Sequence, residues 1–156
     1  MKKLILAIVL LGGSLKVNPH SKNSFEIVKE IRLAKPHLLQ IMQVIKFVES
    51  KNNPNARSPR GRYLGILQIG MVCINEVNQH YGTSYNHKDA FSVACSEDIF
   101  LKAMNLGIES FKRKYNKKPT EEQIVRMWNG GIYTGYKSPK TKKYYTKYLR
   151  HKEKVL

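Results

Sequence analysis

A chain of 156 residues with 42% hydrophobic and 10% aromatic side chains encloses one core of ordinary size and leaves little room for a second domain. Its 28 Lys and Arg against 11 Asp and Glu give a formal charge of +17, so it seeks anionic partners, while its apolar content excludes a disordered composition. Its 2 cysteines are too few for a disulfide-stapled miniprotein, and neither lies in a CxxC or Cys/His cluster of the kind a structural zinc needs; no metal or cofactor is expected. The chain opens with Lys2-Lys3, an apolar run and Gly12-Gly13-Ser14, the order of a secretory signal peptide over residues 1–14. The uncharged stretch from Leu4 to Leu15 is 12 residues long, short of the roughly 20 that a spanning helix requires, so no membrane span is expected once the signal is removed. Residues 15–36 read as an N-terminal extension, with a short helix through Phe25, Ile27, Val28 and Ile31 that ends before Pro36. His37 to Ser50 carries the strongest helical periodicity (Leu38, Ile41, Met42, Ile45, Val48), widened by Leu39 and Phe47, and stops at Asn52-Asn53-Pro54-Asn55. A loop to Gly65 follows, then a helix from Gln68 to His80 and a loop over Gly82 to Asp89. Next comes a long helix from Ala94 to Tyr115 with Glu97 and Asp98 in its first turn. Thr120-Glu121-Glu122-Gln123 is a capping box opening a helix that Gly130-Gly131 ends, and a last helix runs from Pro139 to Lys152. The expectation is an all-α fold, with one domain over residues 37–152.

Removing residues 1–14 takes away Lys2 and Lys3 and leaves 26 basic against 11 acidic side chains, a charge of +15 that belongs to the domain itself. Such a surface binds phosphate polymers without further specialisation. An exported protein instead meets envelope polymers and lipid head groups, so the expected place is the periplasm or cell envelope and no nucleic acid partner is expected. Lys137 to Lys154 interleaves its cations with Tyr144, Tyr145, Tyr148 and Leu149, the pattern of a helix with a basic face.

Glu49 is the one carboxylate at the end of the apolar run Ile45-Lys46-Phe47-Val48-Glu49. A carboxyl group among Phe and Val loses hydration, which raises its pKa and suits it to general acid work. The residues after it, Glu49-Ser50, Asn53-Pro54-Asn55-Ala56, Ser58-Pro59, Gly61 and Gly65-Ile66-Leu67-Gln68-Ile69, resemble in order the signature of the lytic transglycosylases, over 21 residues. Met127-Trp128-Asn129-Gly130-Gly131 resembles the family's Tyr-Asn-Ala-Gly stretch, and Thr141 to Tyr148 resembles its closing Thr-x-x-Tyr helix. The chain departs from the pattern in one extra residue between Gly61 and Gly65 and in Trp128 where the family has Tyr. The resemblance implies a single lysozyme-like helical domain with a substrate cleft.

It also implies cleavage of the β-1,4 bond between N-acetylmuramic acid and N-acetylglucosamine of peptidoglycan, with 1,6-anhydromuramic acid as product. Glu49 then serves first as acid to the leaving oxygen. As a carboxylate it next takes the proton of the muramyl C6 hydroxyl, while the substrate's 2-acetamido group stabilises the cation developing at C1. Ordinary glycosidases need two carboxyl groups; from Ser50 to Asn75 there is no Asp or Glu at all. A hydrolytic muramidase of the same fold and an inactive module binding envelope polymer are the alternatives. Glycan strands are the implied partner, with envelope or secretion-machinery proteins as further ones.

Five more residues are candidates for substrate binding, each with a structural alternative. Ser58 orients either the Glu49 carboxyl or the acetamido group, or is a turn residue. Gln68 offers a donor and an acceptor to sugar hydroxyls, or is a polar residue at a helix start. Trp128 is a sugar platform or core, Asn129 a substrate ligand or a cap, and Tyr144 a closing wall of the cleft or a packing residue. Cys73 and Cys95 either pair, which export permits, or are two small core residues. A cysteine nucleophile with His80 or His87 as base has no arrangement in the sequence to support it.

Overall fold

The computed structural model describes residues 23–155; the expected signal segment, residues 1–14, lies outside them. Apolar residues three and four apart draw the chain into α1 (Ser24–Ala34), α2 (His37–Ser50), α3 (Met71–Tyr81), α4 (Val93–Tyr115), α5 (Glu121–Gly130) and α6 (Lys142–Val155). A two-stranded antiparallel hairpin, β1 (Tyr63–Leu64) and β2 (Ile69–Gly70), lies between α2 and α3, with Tyr63 opposite Gly70 and Leu64 opposite Ile69. The fold is thus mostly helical, and no helix among the described residues is long and apolar enough to cross a membrane.

The centre is α4, whose Ile99, Phe100, Leu101, Ala103 and Met104 are all fully buried. α1 and α3 pack along it, α2 and α5 close over it, and α6 lies across α2 and α5. α2 contributes Leu38, Ile41, Met42, Val44, Ile45 and Val48 to the same core, each such side chain worth about 1.5–3 kcal/mol on burial. α1, within the expected extension, adds Val28 and Ile31 to that core. It is tied to α4 by Arg32 to Glu97 at 3.2 Å and by Lys35 to Glu109 at 3.0 Å.

The ends of α2 and α5 fall where turn chemistry puts them. Lys51 and Asn52 take left-handed backbone (φ 58° and 63°), and Asn53 Oδ1 accepts the Asn55 N–H at 2.9 Å. At α5 the Thr120 hydroxyl accepts the Gln123 N–H at 3.3 Å while Gln123 Oε1 accepts the Thr120 N–H at 2.9 Å.

Three expectations need correction. The helix expected from Gln68 begins at Met71, because Gln68 has φ 49° and the residues on either side of Ile66-Leu67 pair as strands. Glu97 and Asp98 are not in the first turn of α4: Ser92 accepts the Cys95 N–H at 3.4 Å, so the helix starts at Val93 and both carboxylates lie beyond its opening turn. The first turn of the last helix, Pro139–Thr141, is 3-10, and the α-helix continues to Val155. Cys73 and Cys95 are both free thiols.

Candidate active site

The end of α2 is held by three side chains around Glu49. Ser50 Oγ donates to Lys46 O at 3.2 Å and to Ile66 O at 2.8 Å, tying the helix to the loop of the hairpin. Lys147 of α6 donates from Nζ to Val48 O at 2.8 Å, placing a cation at the negative end of α2. Tyr144, one turn earlier on α6, donates its hydroxyl to Glu49 Oε1 at 2.6 Å.

Glu49 is therefore carried at a helix end and walled by α6, and it also faces Trp128 of α5. Burial pushes its carboxyl above the ordinary value near 4.5; the Tyr144 hydrogen bond, the Lys147 charge and the Trp128 N–H act in the opposite direction without overcoming it. Tyr144 in turn is pushed far up by its own burial and by the Glu49 charge, so its hydroxyl stays a donor across the physiological range.

The hairpin builds the opposite wall. Gly65 has φ 77°, and a Cβ there would stand 1.6 Å from Ala90 O, so the backbone approach needs glycine. Gly65 N–H donates to Ala56 O at 2.9 Å, and the Gln68 amide donates back to Gly65 O at 2.9 Å. The α5 wall is fixed by a second close approach: a Cβ at Gly130 would meet Thr141 Cγ2 at 2.5 Å and Gly135 Cα at 2.8 Å. Thr141 Oγ1 donates to Gly135 O at 2.8 Å and accepts from buried Arg126 at 3.0 Å. Trp128 leans on fully buried Phe100, ring centroids 4.8 Å apart, so the core fixes the plane of the indole.

Between these walls lies an open pocket of about 890 Å³. Glu49, Gln68, Trp128 and Asn129 line it together; Tyr144 is not among the lining residues and bears on the pocket only through its hydrogen bond to Glu49. Ser58 is not among the lining residues: its Oγ accepts the Tyr63 N–H at 3.0 Å, and its own N–H donates to Tyr63 O at 3.0 Å, so it closes the loop before β1. Trp128 is core and wall at once.

Arg62, Tyr63, Met71 and Val72 also line the pocket and were not singled out from the sequence, nor was Lys147; His87 lines it too, named from the sequence only as a base for a cysteine nucleophile. The hairpin is the signal that would have found Tyr63: with Leu64 inward, its neighbour must face out. Among the described lining residues Glu49 is the one carboxylate. No three His, Cys, Asp or Glu side chains among the described residues gather as a metal site requires. Cys73 also lines the pocket, but burial and Glu76 push its thiol up to about 12, which keeps it protonated and a poor nucleophile. No family model matches the chain, and no curated protein or solved structure matches it either.

Proposed function

We propose that this chain is a peptidoglycan lytic transglycosylase of lysozyme-like fold, exported to the cell envelope, with Glu49 as its single acid and base. The observation that carries the reading is the Glu49 carboxyl itself. It is largely buried, raised in pKa, held by the Tyr144 hydroxyl, and the one carboxylate among the described residues of the pocket. A neutral carboxyl of this kind protonates the glycosidic oxygen as the bond to C1 breaks. The substrate's acetamido oxygen closes on C1, the aglycone leaves with the proton, and the Glu49 carboxylate remains. That carboxylate then accepts the C6 hydroxyl proton as O6 displaces the acetamido oxygen and forms the 1,6-anhydro ring. Tyr144 and Lys147 favour the carboxylate between the two halves, while burial favours the acid at the start, so the two demands on one group are met by opposing influences. In this reading Trp128, Asn129 and Gln68 are the sugar contacts.

The test is digestion of purified peptidoglycan by the chain and by Glu49→Gln, with the released fragments weighed. The expected products end in 1,6-anhydromuramic acid, lighter by one water than hydrolytic fragments, and Glu49→Gln releases them more slowly by at least about 10²- to 10⁴-fold. Reducing-end products from the unaltered chain would make it a hydrolase, and undiminished cleavage by Glu49→Gln would remove Glu49 from the chemistry.

A further inference from the structure

The pocket contains a cation and an exposed ring for which the Glu49 chemistry has no use. Both stand on the hairpin, at the extra residue that separates this chain from the transglycosylase pattern. Tyr63 is 52% exposed although its backbone is clamped on both sides: Ser58 holds its N–H and its carbonyl, and β2 pairs with it through Gly70. Gly70 presents no side chain, and a Cβ built there would stand 3.0 Å from Tyr63 Cε1, so the ring packs against this bare position at the pocket wall. A fixed backbone under an exposed aromatic ring loses little freedom on binding and offers an apolar face to the C–H face of a pyranose. Arg62 precedes it, lines the same pocket and makes no hydrogen bond or ion pair among the described residues. The other basic side chain on that wall, His87, is engaged through Nε2 with Ile69 O at 3.1 Å. A guanidinium left unengaged at the pocket wall is suited to a carboxylate on the ligand, which it can grip with two parallel N–H bonds.

We propose that Arg62 and Tyr63 form a recognition subsite for an acidic sugar, the ring beneath the pyranose and the guanidinium on a carboxylate attached to it. The inference rests on the glycan reading of the pocket and deepens it by assigning to Arg62 and Tyr63 the preference for an acidic glycan over a neutral one. The carboxylate has two alternative sources in peptidoglycan: the lactyl group where no peptide is attached, and the peptide where one is, since its amide bond uses up the lactyl carboxyl.

Calorimetric binding of soluble fragments distinguishes them, using the unaltered chain, Arg62→Gln, Arg62→Lys, Tyr63→Ala and Tyr63→Phe. Three probes are used: peptide-bearing muropeptide oligomers, the same oligomers stripped of peptide, and neutral β-1,4 oligomers of N-acetylglucosamine. Arg62→Gln is expected to weaken binding of an acidic probe by on the order of tenfold or more and to leave the neutral oligomer unchanged. Loss on the stripped oligomer alone points to the lactyl carboxylate, which is free only where the peptide is gone; loss on the peptide-bearing one alone points to a peptide carboxylate, and loss on both to a guanidinium that reaches either. Arg62→Lys should restore part of the loss. Tyr63→Ala should weaken all three probes and Tyr63→Phe none. Equal loss on acidic and neutral probes with Arg62→Gln, or no loss on any, overturns the inference. If the chain cleaves no glycan yet shows the Arg62-dependent preference, the reaction falls and the subsite stands; if it cleaves and Arg62→Gln binds normally, the reverse holds.

Discussion

Glu49 couples function to stability with a definite sign. Its folded pKa is raised above the ordinary value near 4.5, so its contribution to stability is fully present below that value and is lost as pH rises through the folded one. Once ionised, Glu49 is a desolvated carboxylate that Gln would not impose. Glu49→Gln should therefore melt at a higher temperature than the unaltered chain above the folded pKa, with the difference shrinking as pH falls toward 4.5 and constant below it, as scanning calorimetry across pH would show. Tyr144→Phe acts on the same group from the other side. It removes the hydrogen bond that favours the carboxylate, so the pKa of Glu49 rises further and the alkaline fall of kcat/KM moves to higher pH. The rate itself should drop about tenfold to a hundredfold, since the carboxylate left after the first step loses its donor. An unmoved alkaline limb would mean that a different group titrates.

Two joints between elements hold the pocket, and they differ in how far the sequence displays them. The first is the seat of the hairpin: Gly65→Ala adds a strained φ and a clash with Ala90 O, and should cost about 3 kcal/mol or more in a denaturant titration, enough to lose the fold at 37 °C. Gly65 was legible as part of a motif, but its reason, a carbonyl brought from the segment before α4, is a long-range approach that local pattern does not encode. The second is the ion pair of Lys46 and Glu97, which joins α2 to α4 with the lysine only 5% exposed. From periodicity Lys46 is a polar interruption of an apolar run and Glu97 a charge near a helix start. Neither shows that the other compensates it across 51 residues. Glu97→Ala should destabilise by about 3–5 kcal/mol because Lys46 is left buried without its counter-charge, whereas Lys46→Met with Glu97→Leu should recover most of that loss. The helices themselves were legible wherever caps and spacing agree, as at Thr120, Gln123, Asn52 and Gly131. The hairpin was not, because strands of two residues give alternation no length over which to be seen, and with it went Arg62 and Tyr63. Glu49, Gln68, Trp128 and Asn129 were legible as motif members, and their convergence on one pocket is a property of the packing of α2, the hairpin and α5.

At the scale of the whole molecule the charge is uneven in use. Several cations are engaged inside, as Lys46, Lys102 and Arg126 are, each buried and each bonded to oxygen. Others are exposed, and α6 concentrates them: Lys142, Lys143, Lys147, Arg150 and Lys154 are all exposed on a helix whose other face packs on α2 and α5. His151 lies among Lys51, Lys147, Arg150 and Lys154, and burial together with these four charges holds its imidazole below the ordinary value, so it remains neutral near pH 7 and adds nothing to the positive field. Because Lys147 also touches the end of α2 beside Glu49, the basic face runs up to the catalytic end of the pocket. A polyanionic wall polymer would then be drawn toward the site by charge and held in it by sugar contacts, two contributions with different salt dependence. Charge attraction is screened over about 8 Å at physiological ionic strength, whereas ring stacking and buried hydrogen bonds are not. Binding of the chain to isolated cell wall should weaken steeply between low and physiological salt and level off at a residual, salt-independent affinity, as a sedimentation assay across ionic strengths would show. Replacing Lys143, Arg150 and Lys154 with Gln should flatten the salt-dependent part and leave the residual unchanged, while Trp128→Ala should lower the residual and leave the slope. A residual that vanished with the α6 cations alone would mean that the pocket contributes no affinity, and would leave the chain a charge-driven wall binder without a sugar site.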